Sequence, residues 1–595
     1  MKLQSREFLS FKNNQARWLL LLLLWFFSLP GALQAGELDG LVLTPGIPVQ
    51  GTVYRRNGSS VSQVTNGAEA NDYVQKTNPD TFPFLPSGPA VAIYTTQPDQ
   101  FVRFYTEGTS STAFGSFVAR ARDLRGLTPA QVRDRLALPF LPDHQVIVKV
   151  PAGSCVLNAM GGPILGNFPG VPGPDGYPPG PWGSGGIEQE YTIGTTPNLN
   201  CQGAQFLPSS SYVNIQPIQA NFLWYAPVVE GRNARAVASY LDHLPAPTPF
   251  GDLDGIYNTL DLMNFGDPPL TDAMNDLSGE AYTGLQSVAK FNGEQFTNLL
   301  LRRLRKQAGS DFQTGAPGEK APRWSPWIYG RGSFGSVRRD GDRSGYTFDL
   351  GGFDAGIDFK IQPELIVGIN AGYSHGDMSF RSDDGDLGSG RVGVYGSYAP
   401  APWRITALLD YAYNQFDVTR SIAFLSRRAK GSYHGNEVDT AVEGGYTIRF
   451  GKIELEPLAG LAFTTVQTSS FSEHDAGDVN LDVQDARLNS LRSGLGARAS
   501  FGFDLSGFRI IPEVYSLWSH DFLHENPQIT ARFAGAPSGS TFVVYGARPS
   551  ADYALVGAGI SAAVGDRLSF FANYDGDIRS GLNAHSVTAG VRLQW

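Results

Sequence analysis

The sequence predicts an all-β C-terminal half, closed into a membrane barrel, with a smaller α+β region before it. Three observations lead to this fold class. Glycine occurs 70 times in 595 residues, and charged residues make up only 17%, against an average near 25%. Apolar and small polar residues alternate in about twelve short runs after residue 320. A short apolar segment between residues 18 and 29 also has the composition of an export signal.

The overall composition excludes several classes of protein. A hydrophobic content of 42% provides enough material for a core and argues against a wholly disordered chain. Two cysteines cannot build a disulfide-dense scaffold. The net charge of −10 argues against nucleic acid as the main partner, because phosphate binding requires a basic face.

Residues 1–35 are interpreted as a signal peptide. Basic residues precede the run from Trp18 to Leu29 (WLLLLLLWFFSL), and Ala35 supplies the small residue that a signal peptidase needs. This run is shorter than the roughly 20 residues that span a bilayer. An uncleaved membrane anchor is the alternative. On either interpretation the protein leaves the cytoplasm.

The last run shows the strand pattern most clearly. Val587, Val591 and Leu593 alternate with Thr588 and Arg592, and a period of two places the two sets on opposite faces of a sheet. The twelve predicted strands lie near 326–338, 345–361, 364–380, 388–399, 402–419, 431–450, 452–470, 486–504, 507–523, 551–564, 567–577 and 583–595.

Both a soluble sandwich and a closed membrane barrel show this alternation. In a sandwich the polar face meets water and carries many charges, whereas here it consists of Gly, Ser, Thr and Asn with scattered charges such as Arg404, Asp410 and Arg592. Aromatic residues such as Trp403 and Tyr413 stand at the ends of the apolar sets, as in the girdles of an outer-membrane barrel. A closed barrel also satisfies every backbone donor in lipid. We therefore expect a barrel over 324–595 with outer-membrane lipid around it.

A helix is predicted immediately before the barrel, over 276–308. Leu277, Glu280, Leu285 and Phe291 belong to this segment, whose apolar residues recur at helical spacing. Basic residues crowd its end, where cations suit the helix dipole. An ordinary amphipathic helix on a soluble domain is the alternative, but a short linker over 309–323 joins this helix to the first strand. The position predicts a helix inside the barrel lumen, where some of the lumen charges can pair with it.

These segments together resemble the translocator of monomeric autotransporters, the type V secretion proteins. The resemblance rests on Leu277 to Glu280 (LSGE), the helix after it, the first strand Trp327 to Gly335 (WIYGRGSFG) and the LQW terminus. It implies a twelve-stranded barrel in the outer membrane of a Gram-negative bacterium, with a passenger carried to the cell surface. It also implies periplasmic chaperones as partners and recognition of Trp595 by the outer-membrane insertion machinery.

The resemblance also bears on export and release. No nucleotide-binding motif occurs, so export is expected to draw on passenger folding outside the cell. Some subfamilies of autotransporters cleave themselves between two asparagines inside the barrel, and no Asn-Asn pair occurs between residues 250 and 320. A tethered passenger is therefore the preferred expectation. A barrel that is not an autotransporter and carries a periplasmic N-terminal domain is the remaining alternative.

The passenger, over 36–275, is predicted to be a compact α+β domain with a Pro/Gly-rich loop over 161–186. Strands are expected at 101–108, 145–150 and 187–193, with a helix that begins at a capping box after residue 128. No repeat of 20–30 residues is present. Cys155 and Cys201 are expected to form a disulfide in an exported protein, and two free buried thiols are the alternative.

One set of passenger residues faintly resembles ADP-ribosyltransferase and NAD-glycohydrolase toxins. In that interpretation Arg103 binds phosphate, Glu190 is catalytic and Glu188 orients the acceptor. The Ser-Thr-Ser element of that family is not in place, and two carboxylates on one strand face are usually only solvated. No cofactor is expected, and no Cys/His cluster supports a metal site. Whether the passenger is an enzyme stays open, and an adhesin-like module that binds an unknown surface or host ligand is preferred.

Overall fold

The computed structural model describes most of the chain after residue 52 as two compact units. One unit is drawn from residues 1–222 and 246–265, and the other from residues 223–245 and 266–595. The described residues are 53–55, 59–75, 84, 89–95, 98–108, 112–138, 140–160, 188–195, 206–218, 224–245, 247, 251–264, 270–308, 324–505, 508–564 and 568–593.

The elements are numbered in chain order. The helices are α1 Gly67–Gln75, α2 Ala121–Leu124, α3 Pro129–Leu136, α4 Arg232–His243, α5 Asp252–Asn264, α6 Leu270–Ser278 and α7 Ala281–Ala308. The strands of the first unit are β1 Val53–Arg55, β2 Ser59–Asn66, β3 Pro89–Tyr94, β4 Asp99–Tyr105, β5 Phe117–Val118, β6 His144–Val150, β7 Ser154–Met160, β8 Glu188–Thr195 and β9 Tyr212–Pro217. The strands of the second unit are β10 Trp324–Val337, β11 Tyr346–Gln362, β12 Leu365–Phe380, β13 Asp383–Tyr398, β14 Trp403–Ile422, β15 Arg427–Tyr446, β16 Ile448–Phe450, β17 Ile453–Thr468, β18 Phe471–Ser472, β19 Leu481–Val483, β20 Ala486–Phe501, β21 Phe503–Leu505, β22 Phe508–Asp521, β23 Gln528–Phe533, β24 Phe542–Tyr545, β25 Asp552–Val564, β26 Leu568–Arg579 and β27 Leu582–Leu593.

The first unit is built on two antiparallel sheets. Their strand orders are β1-β2-β3-β7-β8-β5 and β4-β6-β9. The predicted strands correspond to β4, β6 and β8, and α3 begins where the sequence predicts a helix. Thr128 caps α3 through the backbone N–H of Gln131, the Gln131 side chain accepts from the backbone of Thr128, and Pro129 opens the helix. The capping hydrogen bonds and the proline therefore determine where α3 begins.

Buried ion pairs attach α5 to the rest of the first unit. Arg122 pairs with Asp254 and Arg125 with Asp261, both on α5, and all four side chains are almost fully buried. Arg120 pairs with Asp99 on β4, with Nη1 2.6 Å from Oδ1. The run Phe117 to Gly126 (FVARARDLRG) thus places three arginines against carboxylates, because a buried charge requires an opposite partner.

The second unit is a closed antiparallel barrel of twelve strands. These are β10–β15, β17, β20, β22 and β25–β27, and each corresponds to one of the twelve predicted runs. The first strand pairs with the last from Trp327↔Arg592 to Val337↔Leu582, and β15 pairs directly with β17. The two short strands β16 and β21 pair with β17 and β22 beside them. The predicted fold class is confirmed.

The wall of the barrel has one apolar and one polar face. Along β14, Trp403, Ile405 and Leu409 are exposed, whereas their sequence neighbours Arg404 and Asp410 are buried. Trp403 is 61% exposed and contacts Tyr446 on the next strand, with ring centroids 4.7 Å apart. Large apolar side chains that point away from the protein identify the outer face as the lipid face.

The two ends of the barrel differ in the length of their connections. The connections 363–364, 399–402 and 451–452 are short, whereas 469–485 and 522–551 at the opposite end are long. Outer-membrane barrels have short periplasmic turns and long extracellular loops, so β10 begins at the periplasmic end. The long loops build a second, four-stranded sheet in the order β18-β19-β23-β24, which the sequence did not predict.

No helix among the described residues is long and apolar enough to cross a bilayer.

Candidate functional site

The helix α7, called the central helix below, occupies the lumen of the barrel. Leu285, Phe296 and Leu300 are buried, and the helix contacts strands all around the barrel wall. It begins at Ala281, near the long loops, and ends at Ala308, near the short turns. The predicted segment 276–308 is therefore interrupted: Gly279 has a φ of +72° and separates α6 from α7.

The four residues predicted for this segment all lie in the barrel unit. Leu277 is fully buried on α6, and Glu280 is buried in the turn between the two helices. Leu285 and Phe291 lie on the central helix, and the ring centroid of Phe291 is 5.0 Å from that of Phe348 on the barrel wall.

Two glycines let the barrel wall approach the central helix closely. A Cβ at Gly293 would meet carboxylate oxygens of Glu437 and Asp439, which point inward from β15. A Cβ at Gly284 would lie 2.8 Å from Sδ of Met378. Each glycine costs about 1 kcal/mol of helix propensity relative to alanine, and the close approach explains their place in the helix.

The last two turns of the central helix are held by buried ion pairs. We call Arg302, Arg303, Arg305 and Lys306 the basic clamp. Arg302 Nε lies 2.7 Å from Glu513 Oε1 and Nη1 lies 2.6 Å from Asp575 Oδ1.

The other three members of the clamp are also paired. Arg303 pairs with Asp358, and Arg305 Nε donates to Glu443 Oε1 over 2.7 Å. Lys306 Nζ lies 3.0 Å from Glu513 Oε1 and also donates to Asn573. Carboxylates from several strands thus converge on one helix end.

The lumen charges predicted from the sequence surround this clamp without being its main partners. Arg404 donates to Glu443 over 2.9 Å and to Glu456 over 2.8 Å, so it shares Glu443 with the helix. Asp410 pairs with Arg391 over 3.1 Å. Arg592 faces inward and is buried. The sequence does not predict which acids hold the helix, because each of them occupies a single inward position on a separate strand.

At the extracellular end the helix is held by a different set of contacts. Tyr282 donates to Glu473 Oε1 over 2.7 Å. Glu280 accepts from the backbone N–H of Ser344 over 2.8 Å, and burial raises the pKa of Glu280 to about 7 because desolvation outweighs this hydrogen bond. No local sequence pattern predicts these tertiary contacts.

In the first unit, Arg103 is engaged by a loop of its own domain. Its Nε donates to the carbonyl of Thr112 over 3.0 Å and its Nη1 to the carbonyl of Phe117 over 3.1 Å. Gly115 lies directly against the guanidinium. Burial lowers the pKa of Arg103. These contacts show a loop anchor, and the phosphate-binding role stays a prediction.

The two predicted glutamates lie on β8, in the sheet next to the Arg103 strand. Glu190 is the register partner of Val118 on β5 and of Asn158 on β7. A bridge between Val102 and Ala119 joins β4 to the end of β5. The backbone therefore brings the two strands near each other. The side chains of Glu188 and Glu190 lie outside the described residues, so their catalytic role stays a prediction.

Several other predicted features lie partly or wholly outside the described residues. Cys155 is buried on β7 and its sulfur is in a disulfide, but Cys201 lies outside the described residues, and the pairing of the two stays a prediction. Trp595, the signal peptide 1–35, the loop 161–186 and the linker 309–323 also lie outside the described residues.

With the barrel and its central helix established, comparison with known proteins identifies this part of the chain. Residues 326–575 match the family model of the autotransporter β-domain. Residues 326–575 of this chain are an autotransporter β-domain. The protein is therefore an outer-membrane protein of a Gram-negative bacterium.

The relatives of this autotransporter are much longer proteins. An extracellular serine protease of Serratia marcescens is 24% identical over 332 residues, which cover 55% of this chain and 31% of the relative. Outer membrane protein A of Rickettsia conorii is 25% identical over 328 residues, or 52% of this chain and 16% of the relative. The match thus spans less than a third of either relative.

Similar solved structures include the translocator domain of the autotransporter NalP from Neisseria meningitidis. It is 14% identical, covers 50% of this chain and 96% of its own, and has a TM-score of 0.39.

Proposed function

We propose that this autotransporter exports its N-terminal passenger and keeps it tethered to the cell surface as an interaction module. The observation that carries the proposal is the direction of the central helix. Its first residue, Ala281, lies near the long loops, and Lys306 lies near the short turns. Helix α6, which directly precedes Gly279, therefore stands on the extracellular side, while the basic clamp holds the central helix in the lumen.

Binding is favoured over catalysis by the contacts of Arg103 and by exposed apolar side chains of the passenger. The guanidinium of Arg103 is occupied by backbone carbonyls of its own loop. Phe114 is 53% exposed and Phe206 is 61% exposed. Exposed aromatic rings suit contact with another molecule. A host or surface ligand is the expected partner, and NAD chemistry remains the competing hypothesis.

A protease-accessibility experiment tests surface anchoring. The full chain is produced in a Gram-negative host, and intact cells are treated with proteinase K. We expect the uncleaved chain in the outer-membrane fraction before treatment and a protected barrel with its helix afterwards. Passenger in the culture medium, or a passenger that is degraded only after the outer membrane is permeabilised, would overturn the proposal.

The enzyme hypothesis has its own test on the same membranes. NAD hydrolysis is measured with the full chain and with its Glu190→Ala variant. We expect no activity above membranes that lack the protein. Turnover that disappears in Glu190→Ala would assign the passenger to the toxin-like enzymes instead.

Recognition of Trp595 by the insertion machinery is part of the same proposal. In a Trp595→Ala variant we expect slower appearance of the folded, heat-modifiable barrel in pulse-labelled cells. A Trp324→Ala variant, which removes an exposed aromatic at the other end of the barrel sequence, serves as the control. Equal assembly rates for both variants would remove Trp595 from this role.

A further inference from the structure

The extracellular mouth of the barrel is covered by residues that precede the central helix. The helix α4 packs on the four-stranded loop sheet, and the ring centroid of Tyr240 lies 5.5 Å from that of Phe533 and 5.0 Å from that of Phe542. The guanidinium carbon of Arg232 lies 3.7 Å from the ring centroid of Tyr545. We call α4, α6 and this sheet the cap.

A reciprocal pair of hydrogen bonds fixes α4 on the edge of the sheet. The side chain of Asn233 donates to the carbonyl of Tyr545 over 2.7 Å and accepts from its N–H over 3.0 Å. Tyr545 ends β24, which pairs only with β23 among the described strands. An open strand edge offers unpaired backbone groups, and the Asn233 amide satisfies both groups of Tyr545.

The second cap helix, α6, is attached by a buried guanidinium. Arg420 on β14 donates to Glu473 Oε2 over 2.6 Å and to the carbonyl of Asp276 over 2.7 Å. Arg420 is fully buried, and Asp276 also accepts from the N–H of Ala423 over 3.1 Å. One arginine thus ties a barrel strand, the first long loop and α6 together. Its loss would leave Glu473 buried without its cation.

The turn between α6 and the central helix fits against the same loops. Gly279 adopts a φ of +72°, which a residue with a side chain rarely adopts. A Cβ at this position would also lie 2.5 Å from Leu481 Cδ1. The position of the first turn of the central helix is therefore set by the loops on which it docks.

A cavity of about 60 Å³ lies beside the central helix below the cap, lined by Phe291 on the helix, by Tyr346 and Phe348 on the wall, and by Pro527 and Arg548 on the second long loop. The second long loop therefore forms part of the wall around the helix at this height.

We propose that the loop sheet is the docking surface for the chain's own helices α4 and α6, and that this docking seals the pore and positions the central helix. The inference rests on the proposed function, because α4 and α6 reach the loop sheet only after export through the lumen. Their docking outside then completes the cap. The pore is thus sealed by exported residues, so that it closes when their export is complete.

The test compares two changes on the same helix. In the Asn233→Ala/Tyr240→Ala variant the docking contacts are lost, while Ser239→Ala alters a half-exposed neighbour as control. The full-length proteins are folded in detergent and inserted into planar lipid bilayers for conductance measurements. We expect closed channels for the wild type and for Ser239→Ala, and at least tenfold more frequent openings for the double variant. Heat-modifiability is measured in parallel to show that all three barrels are folded.

Surface labelling in cells separates this inference from the function on which it rests. If the wild-type passenger never reaches the surface, the proposed function fails. If the wild type is exported and the folded double variant stays as closed as the control, the docking inference fails while the proposed function stands. If the double variant does not fold, Arg232→Ala, which removes only an exposed contact with the Tyr545 ring, must show an intermediate opening frequency. Channels as closed as those of the wild type would contradict the docking role.

Discussion

The two ends of the central helix are fixed in the barrel by different chemistry. At the periplasmic end, every member of the basic clamp meets a buried carboxylate. At the extracellular end, hydrogen bonds and ring contacts dominate, with Arg420 and Glu473 as one buried ion pair. Removing the clamp from the lumen would leave its cations and the wall carboxylates charged and unpaired. Separating the cap costs less free energy, because most of its contacts are hydrogen bonds and ring contacts. The comparison indicates a stronger attachment at the periplasmic end than at the extracellular end.

The largest effect is expected from the clamp. In Glu513→Ala, Arg302 and Lys306 lose a shared buried carboxylate, and breaking such pairs costs about 3–5 kcal/mol. We expect a clearly lower temperature for the heat-induced mobility shift of the folded barrel on gels. Glu364→Ala, in an exposed periplasmic turn, is the matched control. Equal shifts for the two variants would contradict the clamp.

A smaller effect is expected at the glycines along the helix. Gly293→Ala forces a Cβ into the carboxylates of Glu437 and Asp439, and such overpacking costs about 1–3 kcal/mol. Gly284→Ala meets only the flexible end of Met378, so the gain of about 1 kcal/mol in helix propensity offsets the contact. Urea unfolding of the detergent-folded protein should rank Gly293→Ala below Gly284→Ala. The opposite order would refute this account of the close approach.

The extracellular end is expected to respond to pH. The pKa of Glu280 is raised by burial from 4.5 to about 7, so the folded protein binds this proton more tightly than the unfolded chain does. Stability from this group is full below about pH 4.5 and is lost as the pH rises through 7. The loss amounts to roughly 3 kcal/mol.

The pH effect can be isolated with Glu280→Gln. Thermal stability of the wild type should fall between pH 5 and pH 8, and the variant should show a flatter profile. Some slope should remain, because burial also raises the pKa of Asp276. An unchanged slope in Glu280→Gln would show that Glu280 does not contribute.

The smallest effect is expected midway along the helix. Lys290 Nζ lies 2.7 Å from Glu294 Oε1, but Glu294 also faces Arg492, with Nε 3.4 Å from the same oxygen. Lys290→Met should therefore cost only about 0.2–0.5 kcal/mol, as for an i,i+4 helix pair. Urea unfolding checks this value. If Lys290→Met lowered the free energy of unfolding as much as Glu513→Ala does, the clamp would not differ from the rest of the helix, and the prediction would be wrong.

The barrel could be predicted because its wall has a strict period of two. Strands such as β14, with Trp403 and Arg404 on opposite faces, repeat an apolar and a polar set over many residues. The capping box at Thr128 could also be predicted, because it is a pattern of residues close together in the sequence. Both patterns involve residues that are close together in the sequence, so a single sequence is sufficient to predict them.

The cap and the partners of the clamp could not be predicted, because they depend on neighbours in space. The loop-sheet strands are two to six residues long, from Phe471–Ser472 to Gln528–Phe533, too short for a period to emerge. Asn233 and Arg420 are 187 residues apart in sequence number and serve one cap. The sequence pattern favours the helix dipole as the reason for the basic residues at the helix end, whereas carboxylates from separate strands account for them.

The length of the central helix has a mechanical consequence. Its 28 residues measure about 42 Å at 1.5 Å per residue, and the same residues drawn out would extend to about 90 Å or more. In the proposed tethered state, a pull on the passenger would act on the cap first, then on the central helix and last on the clamp. The helix would therefore unwind and lengthen before the ion pairs bear the force.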